Sequence, residues 1–541
     1  MTYLYIFFTA LVVSMTMIPL MIRLAPRIGM VDNPGPRKVH TTPIPRVGGI
    51  GIVVGALIAI YLWATLDKVI GAYLFGSLVL LAFGALDDSR NLSPYPKFIG
   101  QVMAVLAVVY YGDVYIASLP FMEPDQLPAS VAKPFTVFAI VGMINALNVS
   151  DGLDGLAGGL SILSLSCIAY LAFVAGGFDQ MPIIVATLGG VLGFLRYNTY
   201  PARVFMGDGG SQFLGFTLGF LAVVLTQKVN PALSPSLPVL FLGLPVIDML
   251  AVIAQRFYYG INPFEATKHH IHHRIMELGF DHHESVVMIY LIQALFVASA
   301  VLFSYESDWL IMSLYLGISS LMYLLVFMAT RRHWWIHQPH AVSGLTKLIQ
   351  TVRQRKLFVI IPVRFVSVTI PLFIVCVSFW ADKIPRDFSI ASAVLILAGL
   401  IYFLGGGARN SIVLQAIVYV TAAFVVYLET KYINIQSFPL ETAELIFFIA
   451  LAVATGLAVR YSGLVQFKIT PTDYLVIFVV LSAGILLQNL PEKSEIGVMA
   501  AKLIVLFYGC EFIVNRAQSR LYVLNLSVFA SLIVIALRGL V

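Results

Sequence analysis

Charge is scarce in this chain. Asp, Glu, Lys and Arg make up 11% of its 541 residues, while 60% are hydrophobic. The formal net charge is +6, but the cations are spread over many short segments and form no basic stripe, which argues against nucleic-acid binding. Cysteine is scarcer: Cys167, Cys376 and Cys510 lie far apart inside apolar stretches. That spacing excludes a disulfide framework and a Cys-based zinc site, and leaves buried packing as their role. Tandem repeats and low-complexity tracts are missing. The apolar runs are continuous, not alternating, which excludes a membrane β-barrel.

Apolar runs of about twenty residues recur from end to end, each long enough to cross roughly 30 Å of hydrocarbon. No soluble core needs so many. The expectation is an all-α polytopic membrane protein of about eighteen transmembrane helices. They begin near Leu4, Val47, Ile70, Phe98, Phe135, Leu156, Pro182, Phe213, Pro238, Ser285, Trp309, Val359, Ile390, Ile412, Ala443, Tyr474, Ile496 and Leu521. Residues 1–330 hold about eleven of these and carry long polar loops; residues 359–541 hold about seven, joined by plain connectors. Between them, 331–358 is a basic stretch with His333, Trp334, Trp335, His337 and His340. It reads as a cytoplasmic linker, either an interfacial helix against anionic headgroups or ordinary flanking charge.

No basic residue precedes the first span, whereas Arg23, Arg27, Arg37, Lys38 and Arg46 follow it. A small-residue cleavage site is lacking, so the span reads as an anchor. The Lys/Arg bias puts the amino terminus outside and the polar loops in the cytoplasm. On the outside, Gly112–Lys133 is the longest loop, and Asp113–Ile116 could form a short strand. Glu429, Glu441, Glu444 and Lys431 are expected in a solvated outer loop, with Arg364 and Lys502 snorkelling to a span end.

Five polar clusters fall on the cytoplasmic ends of the first half. Asp87 and Asp88 end a long apolar span; as helix neighbours they point about 100° apart, so different roles are natural, one toward a reacting phosphate and one toward a metal or a Lys. The bland alternative is a helix end interacting with Arg90 and Lys97. Asp151 and Asp154 are three apart and would share a face if helical, with Asn148 one turn upstream; a polar helix cap is the alternative. Asp208, in Phe205-Met206-Gly207-Asp208-Gly209-Gly210-Ser211, is a hard oxygen ligand suited to Mg²⁺ beside a diphosphate, and the glycines leave backbone N–H groups for an anion. A simple glycine turn with an Asp cap is the alternative. Lys268 to Arg274 contains His269, His270, His272 and His273, a donor-rich cationic cradle for phosphates in preference to a zinc site. His282 and His283, farther along, are expected to be solvated. Lys38 and His40 precede Pro45-Arg46-Val47-Gly48-Gly49 and could meet a lipid phosphate; positive-inside charge is the alternative. Carboxylates, cations and glycine loops on one face suggest divalent-cation chemistry on a diphosphate.

These motifs, jointly and in this order, resemble the polyprenyl-phosphate N-acetylhexosamine-1-phosphate transferases (glycosyltransferase family 4), relatives of the phospho-N-acetylmuramoyl-pentapeptide transferases. The resemblance covers about residues 1–330. It rests on Leu86-Asp87-Asp88, on Asn148 to Gly159, on Phe205 to Ser211 and on His269–His273. It implies a helical bundle with a cytoplasmic cleft that transfers a sugar 1-phosphate from a UDP-sugar to undecaprenyl phosphate and releases UMP, the first membrane step of an envelope polysaccharide. By that resemblance Asp208 matches the Mg²⁺ position (Mn²⁺ is an alternative), Asp87 the proposed base with Asp88 beside it, and Asn148, Asp151 and Asp154 the acidic loop near the nucleotide. His269, His270, His272 and His273 match the phosphate-contacting histidines, and Lys38 and His40 the first basic loop. It places the protein in the bacterial inner membrane. The tail departs from the family pattern; it could bind a partner or lipid, or stabilise a homodimer. A transporter or flippase of a lipid-linked or anionic cargo is the alternative reading, though transporters hold their ionisable groups near the bilayer midplane.

Overall fold

The structure is a computed structural model that describes residues 2–34, 42–122, 126–260, 270–332, 357–404, 412–433, 438–461, 494–516 and 518–539. Lipid offers backbone groups no partners, so apolar runs satisfy them within a helix. Among the described residues 11 helices are long and apolar enough to cross a membrane, and Gly48–Trp63 and Ala443–Ala458 are shorter apolar helices. The chain is an all-α polytopic membrane protein. A helix covers every span expected from the sequence except the one near Tyr474, which lies outside the described residues, as does most of the 331–358 linker. The described residues divide into two compact units, one within 2–332 and the other within 357–539.

The first unit runs α1 (Thr2–Ile28), α2 (Gly48–Trp63), α3 (Lys68–Arg90), α4 (Pro94–Leu106), α5 (Ala129–Ser150), α6 (Leu156–Val174), α7 (Met181–Asn198), α8 (Asp208–Val224), α9 (Pro238–Phe241), α10 (Gly243–Tyr258), α11 (Ile271–Glu277), α12 (His282–Leu302) and α13 (Asp308–Arg331). The buried α8 is its axis, packed by α2, α3, α5 and α6. Glycine permits that closeness. A Cβ on Gly84 of α3 would lie 2.2 Å from the Gly209 Cα, and one on Gly49 of α2 would lie 2.3 Å from the Gly210 N. Gly84→Ala therefore forces α3 off the start of α8 and is expected to cost about 1–3 kcal/mol. Its thermal midpoint in detergent should fall, while Gly71→Ala on the same helix, which meets nothing within 4 Å, should leave it unchanged. Equal midpoints for the two variants would remove the packing argument.

The apolar run at Pro238 is broken at Leu242 into α9 and α10. Gln293 of α12, fully buried, satisfies the break: its Nε2 donates to the Phe241 carbonyl (2.9 Å) and its Oε1 accepts from the Leu244 N–H (3.0 Å). Ahead of α2, Val31–Asp32 and Ile44–Pro45 pair antiparallel. The Phe205 N–H donates to the Pro45 carbonyl (2.8 Å), and the Gly48 and Gly49 N–H groups donate to the Phe205 (3.0 Å) and Met206 (2.7 Å) carbonyls, tying this hairpin to the loop before α8.

At the opposite end of the bundle no strand forms at Asp113–Ile116. Side chains take the groups a sheet would use. The Ile116 N–H donates to Thr136 Oγ1 (2.8 Å), and the Ala117 and Ser118 N–H groups both donate to Gln227 Oε1 (3.0 Å).

The second unit comprises Leu357–Trp380, Arg386–Leu404, Ile412–Tyr432, Phe438–Tyr461, Ser494–Arg516 and Gln518–Arg538. Three sequence expectations fail in it. Glu429 and Glu444 are not in a solvated loop but on helices, Glu429 buried and Glu444 largely covered, and Lys502 does not snorkel but is buried. Lys502 Nζ donates to both Glu429 oxygens (2.9 and 2.8 Å) and also pairs with Glu444. A countercharge from a neighbouring helix offsets the desolvation that would otherwise drive each group to water.

Candidate active site

Several helix ends of the first unit meet at one end of the bundle: the carboxy termini of α3 and α5 and the amino termini of α4, α8 and α12. They bound a cleft of about 620 Å³. Asp88, Asn148, Asp151, Asp154 and Asp208 line it, faced by Arg46, His273 and His282.

The paired aspartates separate as helix geometry requires. Asp88, buried, turns toward α8; its Oδ1 accepts from the Asp208 N–H (3.0 Å) and its Oδ2 from the Gly209 N–H (3.3 Å). It thus caps α8 from another helix, and these two N–H groups are taken by a carboxylate, not left for a phosphate as the sequence suggested. Gly207 makes the approach possible: its φ is +73°, and a Cβ there would meet Asp88 Oδ2 at 2.5 Å. Asp87 is not part of the cleft lining and is also buried. Its Oδ1 accepts from the Leu92 N–H (2.7 Å), and its Oδ2 pairs with Lys97 Nζ at 2.5 Å. The same ammonium donates to Asp208 Oδ2 at 3.0 Å, so Lys97 joins Asp87 to Asp208. Asn148 completes the group: its Nδ2 donates to Ser211 Oγ (2.8 Å) and Asp208 Oδ1 (3.3 Å).

Asp151 and Asp154 do not share a helical face. α5 stops at Ser150 and α6 starts at Leu156, so both sit in the intervening loop, with Gly155 at φ +81°. Asn198 shapes that loop, accepting from the Gly155 N–H (2.8 Å) and donating to the Val204 carbonyl (2.9 Å). Asp154 turns aside to accept from the Ala202 N–H (2.9 Å). No hydrogen bond to the Asp151 carboxylate is formed among the described residues. Burial, with repulsion from Asp208 and Asp154, pushes that carboxyl up to about 7. The unfolded chain loses this proton near 3.9. Between the two values the folded protein holds a proton that the unfolded chain has released, so this carboxyl lowers stability progressively from about pH 4 to pH 7 and by its full amount above that. Asp151→Asn should consequently raise the thermal midpoint of chelator-treated protein more at pH 8 than at pH 5. Equal shifts at both values would contradict the burial argument.

The histidines form layers. Lys38, His40 and His269 lie outside the described residues. His270 Nδ1 faces Asp248 Oδ2 at 2.9 Å. His272, buried, packs on Gly152, where a Cβ would meet its Nε2 at 2.3 Å. Its ring lies 4.1 Å from that of His273, which reaches the cleft. The segment is not uniformly cationic, as the sequence suggested: burial first, then the neighbouring His273, pushes His272 down to about 3, so it is neutral near pH 7. His282 is not solvated either; it stacks on Tyr200 at 4.3 Å and lines the cleft.

Sequence reasoning assigned no site role to Lys97, Asn198 or Asp248. Asp248 carried a readable signal, a lone acid inside the apolar run Leu244-Pro245-Val246-Ile247-Asp248-Met249-Leu250. Lys97 was legible only as an ion partner for the end of α3, which its pair with Asp87 bears out; its tie to Asp208, like that of Asn198 to Gly155, carried no local signal because the partner lies far away in the chain.

Among the described residues no group of three His, Cys, Asp or Glu side chains is preassembled around a metal position. The donors do suit Mg²⁺ or Mn²⁺. Asp208 and the unengaged Asp151 carboxylate are hard oxygen donors on one cleft, and Mg²⁺ beside a diphosphate typically takes only one or two carboxylates, the rest of its shell being phosphate and water.

A model of the family described as Glycosyl transferase family 4 matches residues 70–226. The chain is 36% identical over 307 residues to a probable undecaprenyl-phosphate N-acetylglucosaminyl 1-phosphate transferase of Bacillus subtilis, covering 56% of this chain and 86% of that protein. It is 33% identical over 341 residues to an undecaprenyl-phosphate alpha-N-acetylglucosaminyl 1-phosphate transferase of Haemophilus influenzae (61% and 94%). Its identity to the Escherichia coli K12 protein of that name is 31% over 308 residues (54% and 83%). With one such relative matched over most of its length and the motif order intact, the chain belongs to glycosyl transferase family 4, the polyprenyl-phosphate N-acetylhexosamine-1-phosphate transferases.

Proposed function

We propose that the protein transfers an N-acetylhexosamine 1-phosphate, GlcNAc 1-phosphate in the first instance, from its UDP-sugar to undecaprenyl phosphate, giving undecaprenyl-diphosphate-sugar and UMP. The convergence of Asp208, Asp151 and Asn148 on one cleft at the helix ends carries this reading. The lipid phosphate oxygen attacks the β-phosphorus, the bond to the UMP oxygen breaks, and UMP leaves. A phosphate monoester has a second pKa of about 6, so the nucleophile is mostly ionised near pH 7 and needs no strong base. Asp87 then orients Lys97, whose ammonium it holds at 2.5 Å. Asn148 orients Asp208, Asp88 fixes the start of α8, and Arg46, His273 and His282 face the anionic substrates. Mg²⁺, held by Asp208 with Asp151 across the cleft, would supply electrostatic stabilisation of the charge developing on the diphosphate.

The Lys/Arg bias turns this end of the bundle to the cytoplasm of a bacterial inner membrane, with the amino terminus outside, which is where UDP-sugars are made. The transporter alternative gains nothing from the cleft, whose acids stand at helix ends and not at mid-span. The test is UMP release by purified protein in detergent with Mg²⁺, undecaprenyl phosphate and a panel of UDP-sugars. UMP formed only when lipid phosphate is present is the expected result. No UMP with any donor would overturn the assignment.

A further inference from the structure

Asp248 is 2% exposed in α10, amid apolar neighbours. A carboxylate so placed must be met by donors. Three donors from two elements supply them. The Ile271 N–H donates to Oδ1 at 2.8 Å, His270 Nδ1 stands 2.9 Å from Oδ2, and the Tyr323 hydroxyl of α13 donates to Oδ1 at 3.5 Å. Arg274 adds a second tie between α10 and α11 by donating to Gln255 Oε1 at 3.0 Å. A carboxylate only accepts, so His270 carries its proton on Nδ1, and its ring angle is set by that bond. The next residues lead back to the cleft. His272 rests on Gly152, the neighbour of Asp151, and His273 lines the cavity.

We propose that Asp248 is a positioning residue for the phosphoryl transfer. Its carboxylate fixes the tautomer and angle of His270, and through the same turn it seats His272 on Gly152 and His273 at the cleft. The proposal rests on the functional reading above. Asp248 touches no reacting atom; it acts through His270 in the way an outer carboxylate orients a working imidazole.

The experiment is a double-mutant cycle on the full-length protein in detergent, reading UMP release per folded molecule. D248N keeps the size of the side chain but cannot accept from both His270 and Ile271 N–H groups. It is expected to lower kcat by about 10–100-fold, the usual consequence of losing such an orienting group. In an H270Q background the same change should cost less than about threefold, because the two residues act as one unit. A general packing role would instead lower the folded fraction and leave losses that multiply. D248N within about twofold of wild type, or independent losses in the cycle, overturns the proposal. Should D248N fail to fold, H270Q alone decides: it should lower kcat by about 10–100-fold per folded molecule, and turnover within about twofold of wild type removes the residue through which Asp248 acts and overturns the proposal. Absence of UMP release by the wild type overturns the functional reading and this proposal with it. Lost coupling in an active enzyme overturns this proposal alone.

Discussion

Asp208→Asn is expected to reduce UMP release by roughly 10²–10³-fold, because removing a preorganised charge at a phosphoryl centre costs about 3–4 kcal/mol and each 1.36 kcal/mol is tenfold in rate. Asp208 opens α8, and its two oxygens are spaced between Lys97 Nζ (3.0 Å) and Asn148 Nδ2 (3.3 Å). The amide is isosteric, and the backbone N–H that Asp88 accepts from is untouched, so the fold should persist. Kinetics should show lost turnover at saturating lipid phosphate and UDP-sugar, together with a raised half-saturating Mg²⁺ concentration. A variant that keeps more than a tenth of wild-type turnover with unchanged Mg²⁺ response would remove Asp208 from the centre of the mechanism.

Lys97→Met is expected to be nearly as damaging, with an opposite signature for the metal. The ammonium lies between the Asp87 and Asp208 carboxylates. Without it two carboxylates face each other with no cation between them, and the buried Asp87 loses its countercharge. Turnover should fall about 10²-fold, on the scale of a lost charge-assisted contact in a dry site. Divalent-cation affinity should rise, since a positive charge has been withdrawn from beside the ligand oxygen. Mg²⁺ titration of the residual activity reads both effects. Weaker Mg²⁺ binding in this variant would show that Lys97 builds the cation site and does not compete with it.

Much of the fold was legible in the sequence, and the site was legible in part. Hydrophobic run length located the helices, including the broken one near Pro238, though not that Gln293 would satisfy its break. The order of the acidic and glycine motifs pointed to the family and to one functional face. It could not say which carboxylates would be occupied. Asp87 and Asp88 look alike in the chain, yet one pairs with Lys97 and the other caps α8. Asp151 and Asp154 suggested a shared helical face, but the helix stops at Ser150 and the two side chains part. Glu429 and Lys502 read as two separate surface charges because the pairing between them crosses helices.

The physical reason is the range of the interactions. A membrane helix closes its own hydrogen bonds four residues away, so local apolarity largely determined where the spans are helical, the break at Leu242 excepted. Glycine and aspartate types likewise announced where a backbone must approach closely and where a divalent cation could bind. The division of labour in the cleft depends on donors that arrive from distant helices: Asp208 N–H on Asp88 across 120 positions, Lys97 on Asp208 across 111, and His270 on Asp248 across 22. Only packing α3, α4, α8 and α10 together brings each donor to its acceptor, and that packing decided which acid caps, which orients and which, at Asp151, stays open to a ligand.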